Sequence, residues 1–240
     1  MMPLLRGFYR RQMFFPGWFG IFVNPFYFAR AGLRDAMAQF APQLSGKLLD
    51  VGCGSEPYRS LFTVDTYIGL DIDSDASRQR GVADQLYDGG VFPFSDGAFD
   101  PALCNQVLEH VFNPDVFLGE IARVLKPGGR LLLTVPFVWD EHEQPYDFAR
   151  YSSFGLRAIL EKQGLKILIH KKLGADPSVL FQLANAYLFK ISMGLPRSVI
   201  LLMTVTVMAF INLSGLIARR LLPGNPDLFL DHVVLVEKPL

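Results

Sequence analysis

The stretch Lys47-Leu48-Leu49-Asp50-Val51-Gly52-Cys53-Gly54-Ser55-Glu56-Pro57 constrains this chain more than any other. An apolar run ends in an acidic residue and then in two glycines one residue apart. That pattern predicts a short buried strand breaking into a tight loop ahead of a helix. Lacking a Cβ, Gly52 and Gly54 let the backbone turn sharply and let a ligand lie directly against it. Such loops belong to the carboxyl edge of an open parallel sheet, where ligands bind.

The rest of the chain supplies the other strands of an α/β fold. Asn24-Pro25 opens a helix with the apolar stripe Phe26, Leu33, Met37 and Phe40, stopped by Pro42. Residues 67–72 read as a second strand, 82–87 as a third, and 103–106 as part of a fourth in which Pro101 is tolerable only near the start. Asn113-Pro114-Asp115 starts a helix that Lys126-Pro127-Gly128-Gly129 ends, and residues 130–136 form the fifth strand. A helix over 152–163, a strand over 165–171 and a last strand over 232–237 complete the set. Asp71 lies about twenty residues past the glycine loop, where a carboxylate accepts hydrogen bonds from ribose hydroxyls. The plain alternative for Asp71 is a turn aspartate.

Two ligand classes use such a loop. A nicotinamide fingerprint needs a third glycine three residues after the second, and Pro57 stands there, which disfavours it. Asp50, Gly52 and Gly54, with Glu56 at the place of a further glycine, resemble motif I of class I S-adenosyl-L-methionine (SAM)-dependent methyltransferases, in the type 11 group. Asp88 to Pro93-Phe94, Leu108-Glu109-His110-Val111 and Arg123-Val124-Leu125-Lys126-Pro127-Gly128-Gly129 resemble further pieces of the same family. The resemblance covers residues 44–172 and resumes at the last strand.

It implies a Rossmann-like seven-stranded sheet in the order 3-2-1-4-5-7-6, with the last strand antiparallel and helices on both faces. It implies SAM as cofactor and Asp50, Gly52, Gly54, Asp71, Asp88 and Asn105 as the residues around it. Asp88 takes the adenine amino group, with Asp84 as competitor. The resemblance also gives Glu109-His110 a positioning role.

The acceptor side falls to the loop after the fifth strand, Phe137 to Tyr151, which concentrates aromatic, acidic and basic side chains. His142 is the candidate proton acceptor, since histidine titrates near neutrality. Tyr146 and Asp147 are alternatives or orienters, and Arg150 could hold an anionic group. The competing reading is a polar loop ordered by its own hydrogen bonds. Asp140, Glu141, His142 and Glu143 lack helical ligand spacing, so no metal is expected.

The formal net charge is zero, which argues against a nucleic-acid partner. Two cysteines, Cys53 and Cys104, imply no disulfide framework and a cytoplasmic setting. Residues 1–24 place Arg6, Arg10 and Arg11 beside Phe8, Tyr9, Phe14, Phe15, Trp18, Phe19 and Phe22, a mixture suited to a membrane interface or to an arm that closes the pocket.

Between the sixth and seventh strands the chain is apolar from about 178 to 222, and residues 198–218 carry no charge. Two helices lying in an interface, a cover over the acceptor site and a homodimer contact are the readings. A single span is excluded because both flanking strands belong to one sheet.

The organisation expected is an arm and helix over 1–43, a SAM-binding core over 44–174, an apolar helical insertion over 175–227 and the last core strand over 228–240. The function expected is methyl transfer from SAM to a small-molecule, lipid-linked or glycan acceptor, with peripheral membrane contact through 1–24 and 178–222. The alternative is a SAM-binding, non-catalytic module acting through the insertion.

Overall fold

The computed structural model describes residues 2–240, with side chains from Gly7 onward, so the expectation for Arg6 lies outside the described residues. The chain forms two compact units. One comprises Met37–Phe137, Glu141–Lys171 and His232–Leu240; the other comprises Met1–Ala36, Val138–Asp140 and Lys172–Asp231.

The first unit is built on a seven-stranded sheet. Its strands are β1 (Lys47–Val51), β2 (Thr66–Ile72), β3 (Gln85–Tyr87), β4 (Phe99–Asn105), β5 (Leu125–Pro136), β6 (Lys166–Leu173) and β7 (Asp231–Glu237). The order is β3-β2-β1-β4-β5-β7-β6, as expected. β1 runs parallel to both β2 and β4, so the strand order reverses beside the glycine loop. Leu49, Val51, Leu70, Leu131, Leu133 and Val234 meet Leu118 and Ile121 in one buried cluster. Each such side chain contributes about 1.5–3 kcal/mol by leaving water.

Pro101 falls at a register irregularity between β4 and β5, where its missing N–H breaks no ladder. β5 starts earlier than its sequence suggests. Lys126 to Gly129 are extended, because Phe99 pairs with Leu125 and Gly128 and Gly129 exchange backbone bonds of 2.7 and 2.9 Å with Lys238. Serine side chains cap α4 (Asp75–Arg80), through Ser74, and α6 (Ser153–Lys162), through Ser152. α5 (Pro114–Val124) opens after Asn113.

The second unit is helical. It contains α1 (Met2–Phe14), α2 (Gly20–Val23), the start of α3 (Tyr27–Phe40), α7 (Ser178–Ser192), and α8 (Arg197–Met203) running through a π turn (Thr204–Met208) into α9 (Ala209–Leu221). α3 begins at Tyr27 instead of Pro25. Asn24 Oδ1 is spent on the Phe26 N–H of a preceding turn, at 2.8 Å. The first-turn N–H groups of Phe28 and Ala29 donate instead to Gln182 Oε1 on α7, at 3.0 and 3.2 Å. A cap from so far along the chain is invisible to local pattern.

This unit buries polar side chains beside an apolar cluster of Phe28, Ala29, Val179 and Leu230, and exposes many large apolar ones. Gln182, Asn185, Ser192, Thr204 and Asn212 are buried. Asn185 Nδ2 donates to Met208 O and Asn212 Oδ1, and Asn212 Nδ2 to the carbonyls of Ile21 and Asn24, at 2.9–3.1 Å. Leu180, Tyr187, Ile191, Leu202, Phe210 and Leu221 face solvent, with Phe210 69% and Leu221 75% exposed.

Candidate active site

The parallel register sets the geometry at the carboxyl ends of the strands. Val51 pairs with Leu70 on one side and Cys104 on the other. Gly52, Asp71 and Asn105 are therefore the next residue on each of three adjacent strands. Ile72 pairs with Tyr87, so Asp88 follows one step further out on the edge strand.

The N–H groups of Gly52 and Cys53 both donate to Leu70 O, at 2.8 and 3.1 Å, which closes the turn. Gly52 has φ +70°, and a Cβ there would stand 2.5 Å from Val107 Cγ2. Gly54 has φ +54°, and a Cβ there would meet nothing within 4 Å. The loop is thus packed tightly at Gly52 and open at Gly54, a bare backbone against which a nucleoside-bearing ligand can lie. Glu56 (φ +48°) is turned toward β2. Its Oε1 lies where a Cβ on Gly69 would be only 2.7 Å away, and its Oε2 pairs with Arg59 at 2.7 Å.

Asp50 is buried and accepts the Tyr67 hydroxyl at 2.6 Å. Burial pushes its carboxyl up to about 7; the Tyr67 bond offsets part of this, and Glu56 and Asp71 push it further. Asp71 is also buried, with Oδ1 on the Ile72 N–H and Oδ2 on Arg80 at 3.0 Å. Two bonds leave a carboxylate with capacity for further donors. Asp88 is exposed, its Oδ1 accepting from Gly90 N at 2.9 Å. Asp84 Oδ2 holds the Gly69 N–H of β2 at 2.8 Å. Asn105 Oδ1 accepts from Thr134 Oγ1 at 2.8 Å. Cys53 and Cys104 are buried free thiols, pushed up by burial.

On the acceptor side, the turn Leu108–His110 after β4 and the loop after β5 are tied together. Phe148 and Ala149 N–H donate to Glu109 O, at 2.8 and 3.3 Å, and His110 Nδ1 lies 2.8 Å from Tyr146 O. Asp147 takes Arg150 in a two-pronged pair at 2.6 and 2.7 Å, so that guanidinium is spent inside the loop. Burial raises Asp147, but Arg150, the His142 N–H and the His142 ring outweigh it, and the carboxyl falls to about 2. It is an orienting anion. His142 lies beside it, with Nδ1 3.3 Å from Asp147 Oδ2. The Tyr146 side chain is exposed, and its carbonyl is the group in use.

Glu109 and His110 meet His142, with the His110 and His142 rings 4.8 Å apart. Burial lowers His110; the Tyr146 carbonyl opposes that, and His142 adds to it. The sequence reading kept Glu109 and His110 out of the acceptor site. Their adjacency was the available signal, but their meeting with His142 depends on the loop's return.

Residues 49–133 match the family described as a methyltransferase domain. The chain is 39% identical over 100 residues to a fatty-acid O-methyltransferase of Mycolicibacterium smegmatis, covering 37% of this chain and 36% of that one. It is 37% identical over 108 residues to a ubiquinone biosynthesis O-methyltransferase of Caulobacter vibrioides, covering 40% and 42%. Among solved structures it shares the fold of the 4+2 cyclase SpnF, with TM-score 0.55 and 23% identity over 88% of this chain and 82% of that one.

Fold, glycine loop and motifs define a class I SAM-dependent methyltransferase domain. Residues 49–133 carry that domain, and the chain spans less than half the length of the two curated relatives named.

Proposed function

We propose that this protein transfers a methyl group from SAM to an acceptor carried in an anionic membrane surface, such as a lipid-linked or quinone-like molecule. SAM supplies an electrophilic sulfonium methyl. The open backbone at Gly54 and the carboxylate of Asp71, beside the buried Asp50 on the neighbouring strand, fit a nucleoside bearing a positive charge. Asp88 and Asn105 complete that set of residues. On the acceptor side His142 is the proton acceptor, Asp147 holds it in place, and Tyr146 contributes its backbone carbonyl to His110.

The observation that carries the acceptor class is the exposed apolar surface of the helical unit. Several of its polar side chains bond inward while leucines, valines and aromatics along α7, α8 and α9 are exposed, and exposed apolar surface marks an interaction site. Trp18, 75% exposed, meets Phe19, which meets Phe8, in the segment that also carries exposed Tyr9, Arg10 and Arg11, the aromatic–cationic mixture of a lipid interface. This unit carries ten Lys and Arg against five Asp and Glu, whereas the sheet unit carries thirteen against eighteen. The positive excess therefore sits with the apolar surface, as attraction to anionic headgroups requires.

Arg197–Leu221 is long and apolar enough to cross a membrane. β6 and β7 nevertheless lie side by side in one sheet, and α7 buries Gln182 and Asn185. Both favour helices lying in the interface over a span.

The test is incubation with methyl-labelled SAM and vesicles containing a bacterial lipid extract. Label in the organic phase, and sedimentation with anionic but not neutral vesicles that weakens with salt, are expected. Label in water-soluble product alone rejects the acceptor class. SAM binding with no transfer to any extract would identify a non-catalytic binding module.

A further inference from the structure

We propose that Glu109, His110 and His142 bind one divalent first-row metal ion of the zinc type. Their ligand atoms lie within 4.8 Å of one another. His110 Nε2 is 3.7 Å and His142 Nε2 4.0 Å from the same oxygen, Glu109 Oε1. Ligands of a tetrahedral zinc site stand about 3.3 Å apart, so closure needs the ligand atoms to draw together by about 1.5 Å or less.

Both imidazoles are oriented for this. His110 Nδ1 faces the Tyr146 carbonyl at 2.8 Å, and His142 Nδ1 faces the Asp147 carboxylate at 3.3 Å, nearer than the Arg150 nitrogen at 3.4 Å. An acceptor at Nδ1 fixes the proton there and leaves the Nε2 lone pair for a metal. Asp147 stays anionic because Arg150 pairs with it, giving the carboxylate–histidine relay that supports metal-bound histidines.

The third ligand is a fully buried carboxylate beside both Nε2 atoms. Two segments far apart in sequence are pinned together by the Phe148 and Ala149 bonds to Glu109 O, so the three side chains do not meet by chance of surface mobility. Two imidazoles and one carboxylate suit zinc, cobalt or manganese better than magnesium, which prefers oxygen ligands and its own waters.

A three-ligand set leaves coordination positions open. On the methyltransferase reading, on which this role rests, those positions take a hydroxyl of the acceptor and lower its pKa, so that its proton leaves to solvent before the oxygen takes the methyl. His142 is then a ligand, and the ion replaces a free histidine as the means of activating the acceptor.

The experiment is titration of the tag-free full-length protein with Zn2+ and Co2+ alone, without SAM, by calorimetry and by Co2+ visible absorption. We expect one ion per chain with the absorption bands of a four- or five-coordinate site. His142→Ala and His110→Ala should each weaken binding at least 100-fold. Glu109→Gln, which keeps the shape of the turn, should weaken it similarly, and Asp147→Asn about 10–100-fold.

Absence of one-to-one binding by the wild type overturns the proposal. So does binding that these variants leave unchanged while circular dichroism shows them folded. SAM calorimetry on the metal-free protein is read separately: its failure rejects the methyltransferase reading and leaves the metal result standing.

Discussion

Tyr67, in β2, donates its hydroxyl to the buried carboxylate of Asp50, in β1, at 2.6 Å. The two strands are neighbours, and Asp50 pairs with Gly69, two residues past Tyr67. Burial holds Asp50 up at about 7 against an ordinary 3.8. Between those values the folded chain binds a proton that the unfolded chain releases. Stability from this group is thus complete below pH 4 and is lost as pH rises to 7. The interval corresponds to on the order of 4 kcal/mol. Asp50→Asn keeps the Tyr67 bond without the charge, so its melting temperature relative to wild type should rise steadily from pH 4 to pH 8. A difference independent of pH would mean that Asp50 is ionised at ordinary cost.

The two loop glycines should separate folding from binding. Gly52→Ala places a methyl 2.5 Å from Val107, at a positive φ. It should cost about 1–3 kcal/mol in denaturant unfolding, partly restored by adding Val107→Ala. Gly54→Ala meets open space and should cost about 1 kcal/mol or less for its positive φ. It should nevertheless weaken SAM binding at least tenfold by calorimetry, because the new methyl occupies the surface on which the ligand lies. Equal SAM affinity in Gly54→Ala and wild type would remove the loop from the binding site.

Gln182 holds three backbone groups: the N–H of Phe28 and Ala29 and the carbonyl of Pro25, the last at 3.0 Å. Gln182→Leu leaves these buried groups without their partner and should destabilise the protein by about 2–4 kcal/mol. Hydrogen exchange at the first turn of α3 should speed up more than at β1. Uniform exchange across both would show that the cap is energetically idle.

Arg150→Lys keeps the charge but loses the fork that grips Asp147 at two oxygens. Turnover should fall about 10-fold or more with the SAM dissociation constant unchanged, since Arg150 acts through the Asp147–His142 contact. A variant that loses SAM affinity in parallel would place Arg150 on the cofactor side.

Arg219 and Arg220 close the last turn of α9 beside the exposed Leu221 and Leu222. Replacing both arginines with serine should shift the midpoint of binding to anionic vesicles several-fold, at about 1 kcal/mol per charge, without altering turnover on a water-soluble acceptor. Binding unchanged by the pair and insensitive to salt would point to purely apolar contact.

The glycine loop and the strand-end places of Gly52, Asp71 and Asn105 were legible because they rest on local pattern, and the strand order because the motifs resemble a known family. An apolar run, two glycines and a carboxylate at a set spacing leave the backbone few alternatives, and parallel pairing then brings strand ends to one edge. The insertion's exposed leucines could be seen as apolar, but not as exposed. That depends on Gln182, Asn185 and Asn212 finding backbone partners on other helical segments, which only packing reveals. Glu109, His110 and His142 were each visible in the chain, yet their convergence was not. They are brought together by the return of a loop whose bonds to the Glu109 carbonyl have no sequence signature. Short-range sterics and hydrophobic alternation settle a frame, whereas long-range hydrogen bonds decide which side chains share a site.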